Sequence, residues 1–320
     1  DRRRRAVVHL MQILRSPGDA IDGLDGYPAE RRWVEIPAGD GQHLRVHLVD
    51  ANPDSTSVVV MVHGNPSWSY LWRHQIGPVV EAGYRVIVPD LVGMGMSDKP
   101  SEMDDYTVDR HVEWMGALLV DALALSDVDL VLHDWGGIIG MRLAAETPGL
   151  VHRMVISNTG LPDRDPAEPL QNIEATGPFA DFQKMAREAP VWEPWAMLPM
   201  VMVSEPGSEV VDGYRAPYPD PSLTIGSRAF TQLLPTRPDN PMYPANHEAW
   251  KVLEQWTNPV LTIFSDKDTV APDGWKPIVD RIPGAKGQPH AILEGGGHFL
   301  QEDIPEAYTN TLLAWLGAPA

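Results

Sequence analysis

A chain of 320 residues with 43% hydrophobic and 22% charged residues is long enough for one sizeable core carrying an insertion, and too apolar to be disordered. Acidic residues outnumber basic ones, 44 to 25, and the net charge of −19 repels nucleic acid and anionic lipid, so neither is expected as a partner. The count of Cys is 0, which removes disulfides, thiolate nucleophiles and cysteine-ligated metal centres, and no apolar run approaches the roughly 20 residues that span a bilayer.

Arg2, Arg3, Arg4 and Arg5 precede the short apolar run Ala6-Val7-Val8. His9, Gln12 and Arg15 interrupt it and no small-residue cleavage pattern follows, so residues 1–30 read as a helical arm rather than an export signal. A cytoplasmic protein is expected, with which the lack of cysteine is compatible. Residues 31–37 and 43–49 alternate polar and apolar around Gly39-Asp40-Gly41, the pattern of a hairpin. Val58–Val62, Tyr84–Val88, Val128–Leu132, Met154–Ile156 and Val260–Phe264 are largely apolar without alternation, as in parallel strands buried on both faces. Helical patterns lie between and after them, at Thr107–Leu125, Gly136–Glu146 and Pro305–Leu316, the first with Val112, Met115, Leu118, Leu119 and Leu123 on one stripe. This alternation predicts an α/β fold. It stops near Gly160: residues 161–227 are rich in Pro, Trp, Met and acids and contain no buried-strand run. So long a stretch is too much for one loop, and it reads as a helical cap inserted after the sixth strand, with 31–160 and 228–320 as the core.

The densest chemical signal is Val131-Leu132-His133-Asp134-Trp135-Gly136-Gly137, a buried strand running straight into a helix. This is the form of a nucleophile elbow, whose usual occupant is the Ser of Gly-x-Ser-x-Gly; that motif is absent from the chain, and Asp134 stands in its place. Alone, Asp134 reads equally well as a helix N-cap. It is joined by His63-Gly64-Asn65-Pro66 after the Val58–Val62 strand, where a backbone N–H and that of Trp135 would converge on an oxyanion position, as in α/β-hydrolases. His298 follows Gly295-Gly296-Gly297 past a late apolar run and is the candidate base. Asp268, just beyond Val260–Phe264, is the candidate partner of that imidazole, with Asp266 as competitor. The chain order of nucleophile, acid and base is that of α/β-hydrolases.

Taken together, His63–Arg73 (HGNPSWSYLWR), Pro89–Pro100 (PDLVGMGMSDKP), His133–Gly137 and Gly297-His298-Phe299 resemble the haloalkane dehalogenases, as does Gly213–Asp220 at the end of the cap. The likeness spans about residues 20 to 318. It implies an α/β-hydrolase fold, mostly parallel sheet with an inserted helical cap. It also implies Asp134 as nucleophile, His298 as base, Asp268 as acid, Trp135 and Asn65 as halide-binding pair and their backbone N–H groups as oxyanion donors. One subfamily carries its acid, a Glu, just past the sixth strand; here that residue is Asn158, which leaves the part to Asp268. Another uses a cap Trp in place of the Asn; the region Pro178–Phe182 resembles that one, with Phe182 at the Trp position and Trp192 and Trp195 further along.

The chemistry explains the residue types. Displacement at a carbon–halogen bond by a carboxylate gives an ester that water can cleave, whereas Ser would leave a stable ether. The departing halide needs donors, which an indole N–H and an amide NH₂ supply. No metal and no cofactor is required; the expected partners are a small neutral halogenated substrate, water and halide, with self-association into a homo-oligomer left open. An epoxide hydrolase shares the Asp elbow but needs two cap tyrosines, for which the cap region offers Tyr214 and Tyr218. A non-catalytic hydrolase-like binder has no need of Asp134, His298 and Asp268 together.

Overall fold

The computed structural model describes residues 11–39, 41–170, 175 and 177–317. Eight strands form one sheet: β1 (Arg31–Gly39), β2 (Gln42–Ala51), β3 (Val58–Val62), β4 (Arg85–Pro89), β5 (Val128–His133), β6 (Val151–Ser157), β7 (Val260–Ser265) and β8 (Ala291–Leu293). Their order is β8-β7-β6-β5-β3-β4-β2-β1. The β1–β2 hairpin joins antiparallel to β4, and the neighbouring pairs from β4 across to β8 are parallel. Helices α1 (Arg73–Glu81), α2 (Val108–Gly116), α3 (Trp135–Glu146), α4 (Pro178–Glu188), α5 (Ser208–Arg215), α6 (Ile225–Leu233), α7 (Tyr243–Leu253), α8 (Trp275–Arg281) and α9 (Pro305–Leu316) are joined by loops and shorter helical turns.

The unalternating strands are apolar because both faces are covered. In β3, Val60 and Val62 pack with Leu130, Leu132, Met154 and Ile156 beneath α2, α3 and α7. The residues that alternate with them, Val59 and Met61, pack with Val131, Val155, Leu261 and Ile263 beneath α1 and α9. Side chains two apart share a face, so one continuous apolar run feeds two cores. The helix expected over 107–125 starts where Thr107 accepts the Arg110 N–H at 3.1 Å. Its regular part ends at Gly116 and the chain continues through a wider π turn, Ala117–Ala122, that still buries Leu118 and Leu119.

The helical reading of the N-terminal arm fails for its described part. Ile13–Leu14 instead pairs antiparallel with Lys99–Pro100, and the stretch to residue 30 is turns, with Pro17, Gly18, Gly23 and Gly26 breaking any helical run. The arginine run at 2–5 lies outside the described residues. Between residues 158 and 259 the described residues form helices and no strand, and α6 runs through residue 227. No helix among the described residues is long and apolar enough to cross a membrane.

The loops that follow β3, β5, β6, β7 and β8 leave the carboxyl ends of parallel strands and therefore meet along one edge of the sheet. Asn65, Asp134, Asn158, Asp268 and His298 are all on them.

Candidate active site

Strand β5 passes into α3 through Asp134, held at φ 50, ψ −126, a conformation that a non-glycine residue adopts only under constraint from its surroundings. Two glycines make that turn sterically feasible. A Cβ on Gly136 would stand 2.4 Å from the Val62 carbonyl oxygen, so its absence lets α3 begin hard against β3. A Cβ on Gly64 would stand 2.1 Å from Asp134 Oδ1, so glycine there lets the His63–Pro66 turn close over the carboxylate. That turn is propped by His63, which is fully buried and whose Nε2 accepts the Leu91 N–H at 2.9 Å.

The two oxygens of Asp134 have different neighbours. Oδ1 accepts the Asn65 N–H at 2.8 Å, and the Trp135 N–H also serves the carboxylate. Oδ2 faces His298 Nε2 at 3.2 Å. On its other side, His298 Nδ1 meets Asp268 Oδ1 at 3.0 Å, and Asp268 in turn accepts the N–H groups of Val270 (2.8 Å) and Ala271 (3.2 Å). The structure thus brings together Asp134, His298 and Asp268, and separates them from Asp266. That exposed residue accepts the Gly295 N–H at 2.8 Å and pairs with Lys267 at 3.1 Å.

Burial by itself would depress the His298 pKa, but the hydrogen bonds and charges of Asp134 and Asp268 outweigh it and raise the imidazole to about 9. Burial pushes both carboxyls up, and is outweighed in turn by His298, so both lie below the ordinary carboxylate range; backbone N–H groups assist in each case. The two carboxylates thus favour the protonated form of the imidazole between them.

A cavity of about 260 Å³ opens above Asp134. Its floor is Asn65, Asp134, Trp135 and His298, and its walls are Phe179, Phe182, Met197, Met200, Val201 and Leu234. A second recess of about 540 Å³ shares Asp134, Trp135, Phe179, Leu234 and Val270 with it and reaches Asp163 and Arg281, which pair at 2.9 Å. The Trp135 indole, 4% exposed, is packed against Phe230 with ring centroids 5.3 Å apart. Neither its N–H nor the Asn65 NH₂ has a hydrogen-bond partner among the described residues, and both residues line the cavity. The Asn65 carbonyl oxygen is taken, accepting the Ser227 hydroxyl at 2.7 Å.

The cap aromatics separate cleanly. Phe182 lines the cavity, and Trp192 packs against it at 6.1 Å with its N–H turned to Ser227 Oγ at 3.1 Å. Trp195 lies over Tyr218 at 6.2 Å, away from the floor. Tyr214 donates to Glu302 at 2.7 Å and Tyr218 accepts the Gly95 N–H at 2.8 Å; both are buried and neither lines the cavity, so the tyrosine pair of an epoxide hydrolase is not present there.

Sequence reasoning missed the groups that hold the His298 loop. Asn158 donates to Ser265 Oγ (2.9 Å) and to the Gly297 and His298 carbonyls (both 3.0 Å), while Ser265 donates to the Gly297 carbonyl at 2.6 Å. His133 Nε2 meets the His298 carbonyl at 2.8 Å; burial, and then the neighbouring His298 charge, lower its pKa to about 4, so it stays neutral and donates. Thr159 secures the elbow through a 2.6 Å bond to the Asp134 carbonyl. The signal for Asn158 and Thr159 was their place directly after a buried strand; His133 and Ser265 look like ordinary strand ends.

Comparison with known proteins agrees with this fold. The family model described as the alpha/beta hydrolase fold matches residues 57–193. Haloalkane dehalogenase from Mycolicibacterium paratuberculosis is 40% identical over 305 residues, covering 95% of this chain and 98% of its own length. Haloalkane dehalogenase 1 from Mycobacterium tuberculosis is 41% identical over 305 residues, covering 95% and 99%. The tetrameric structure of a haloalkane dehalogenase from Paraglaciecola agarilytica superposes with a TM-score of 0.80 at 25% identity, covering 95% of this chain and 98% of that one.

Proposed function

The chain belongs to the haloalkane dehalogenases, and from that premise we propose how its residues carry out the hydrolytic dehalogenation of haloalkanes. Asp134 Oδ2, the oxygen that does not take the Asn65 N–H, attacks the halogen-bearing carbon in line. The carbon–halogen bond breaks as the ester forms. The halide leaves toward the Trp135 indole N–H and the Asn65 NH₂, each worth about 1.5–3 kcal/mol as a hydrogen bond to an ion, or roughly ten- to a hundredfold in rate if made in the transition state.

In the second step His298 takes a proton from water as its oxygen adds to Cγ of Asp134. Oδ1 carries the developing charge against the backbone N–H groups of Asn65 and Trp135. Collapse breaks the bond from Cγ to the ester oxygen; the departing alkoxide takes the proton of the added hydroxyl and leaves as alcohol, which restores the carboxylate and leaves His298 protonated. The proton inventory works because alkylation removes the negative charge of Asp134, one of the causes that raise His298 to about 9. The pKa of His298 then falls, and the imidazolium gives its proton up to solvent, the proton released alongside the halide, before it acts as base. Asp268 keeps the ring in register.

Residues 161–227 are taken as the cap over a core of 31–160 and 228–320, with α6 carrying the cap on past its boundary to Leu233. The apolar wall suits a small neutral halogenated substrate, with water and halide as the other partners. Self-association into a homo-oligomer is compatible with the tetrameric relative. The observation that carries the reading is a carboxylate at the elbow, with one oxygen on a backbone N–H and the other on the imidazole. A His298→Phe variant given 1,2-dibromoethane is expected to release about one bromide per protein and stall, with the mass of the adduct on the peptide containing Asp134. Absence of both burst and adduct, or steady turnover of styrene oxide by the unaltered protein, would overturn it.

A further inference from the structure

The direction in which the Asn65 amide points is not set by Asn65. Its oxygen and nitrogen are alike in size, and a flip would turn a carbonyl toward the departing halide, replacing attraction with repulsion. Among the described residues Asn65 makes one side-chain hydrogen bond, the 2.7 Å contact from Ser227 Oγ to Oδ1. Ser227 is fully buried on α6, and its Oγ also receives the Trp192 indole N–H at 3.1 Å. An indole N–H can only donate. With that donor on one lone pair, the hydroxyl is turned so that its proton meets Asn65 Oδ1 at 2.7 Å, and the Asn65 NH₂ is left facing the cavity. Trp192 is itself anchored, since its carbonyl accepts the Thr224 hydroxyl at 3.0 Å.

We propose that Ser227, oriented by Trp192, is a positioning residue for halide departure: the relay Trp192 N–H to Ser227 O–H to Asn65 C=O locks the amide so that its NH₂ meets the leaving ion. The chain of donors also polarises the amide, since each bond strengthens the next. A tryptophan of the cap thus acts on the halide at one remove, through a serine and an asparagine, while the cap rings that line the cavity, Phe179 and Phe182, offer no N–H. This rests on the assignment of Asn65 as a halide donor.

The test compares Ser227→Ala, Trp192→Phe and Asn65→Ala with the unaltered protein. Bromide affinity is read from product inhibition, together with kcat/KM for 1-chlorobutane and 1-iodobutane. Chloride is the poorer leaving group and depends more on the donors. Ser227→Ala is expected to weaken bromide binding and to lower chlorobutane turnover about tenfold, with a clearly smaller loss on iodobutane. Trp192→Phe should move the same quantities in the same direction by less. Hydrolysis of preformed alkyl-enzyme should be unchanged, because its oxyanion donors are backbone groups. If Asn65→Ala shifts bromide affinity and the chloride-to-iodide ratio while Ser227→Ala leaves both within twofold, the relay is wrong and the Asn65 assignment stands. If Asn65→Ala also leaves both unchanged, the assignment itself fails and takes the relay with it. An equal loss on both substrates with a fall in Tm would show Ser227 to be structural only, and would equally overturn the proposal.

Discussion

The two sides of the cavity differ in how their residues are held. On the sheet side, Asp134, His298, Asp268, Asn158 and Ser265 are bound to one another and to backbone groups at 2.6–3.2 Å, at the ends of adjacent parallel strands and on the loops leaving them. On the cap side the wall is Phe179, Phe182, Met197, Met200, Val201 and Leu234, apolar side chains without directional bonds. Phe179 is 43% exposed and Met200 63%. Misplacement of a hydrogen-bonded catalytic group by an ångström costs about 10²-fold in rate on every substrate, whereas a methylene more or less in an apolar wall shifts the balance between substrates by about 1–3 kcal/mol. On the function proposed above, the difference divides the labour: the sheet edge sets which reaction occurs, and the cap sets which substrate fits. Asn65 sits at the seam, with its backbone N–H serving the first task and its side chain held from α6.

The contrast is sharpest for substitutions on the sheet side. Asp268→Ala should reduce kcat about 10³- to 10⁴-fold, the scale seen when an orienting carboxylate is lost from a triad. It should also lower the titration midpoint of His298, which imidazole NMR of the unaltered protein is expected to place at about 9. Because the folded-state value lies above the ordinary 6.5, the stabilisation from this proton is complete below pH 6.5 and is lost as pH rises through about 9. The decline in Tm over that interval should therefore be shallower in the variant. An unchanged midpoint would remove Asp268 from the account.

On the cap side the effect should be smaller and of another kind. Phe182→Ala is predicted to change kcat/KM for short and long 1-bromoalkanes in opposite senses, each by roughly tenfold or less, as the cavity enlarges. The His298→Phe burst should survive in the double variant, since the chemistry lies across the cavity. A loss of activity on every chain length alike would erase the division between the two sides.

The same division governs how much could be read from the sequence. Val58–Val62, Val128–Leu132 and Val260–Phe264 announce themselves because strands buried on both faces tolerate few polar residues, and the elbow is legible because Asp134 follows one of them directly. Asp268 and His298 could be nominated by their places after strands, Asp268 in preference to Asp266, and the fold pairs Asp268 with the imidazole. The arm was misread because its short pairing with Lys99–Pro100 is set by tertiary contact rather than local propensity. Ser227 was out of reach for a different reason. It lies 162 residues from Asn65, and nothing in a local pattern says which way an indole N–H or an amide will face.

The central claim, that the oxygen delivered to carbon comes from Asp134, is tested most directly by isotope. With enzyme in excess over 1,2-dibromoethane in H₂¹⁸O, the first-turnover alcohol should carry ¹⁶O while the peptide containing Asp134 gains ¹⁸O. An alcohol that already carries ¹⁸O in the first turnover, with Asp134 unlabelled, would mean that water attacks the substrate itself and would contradict the account.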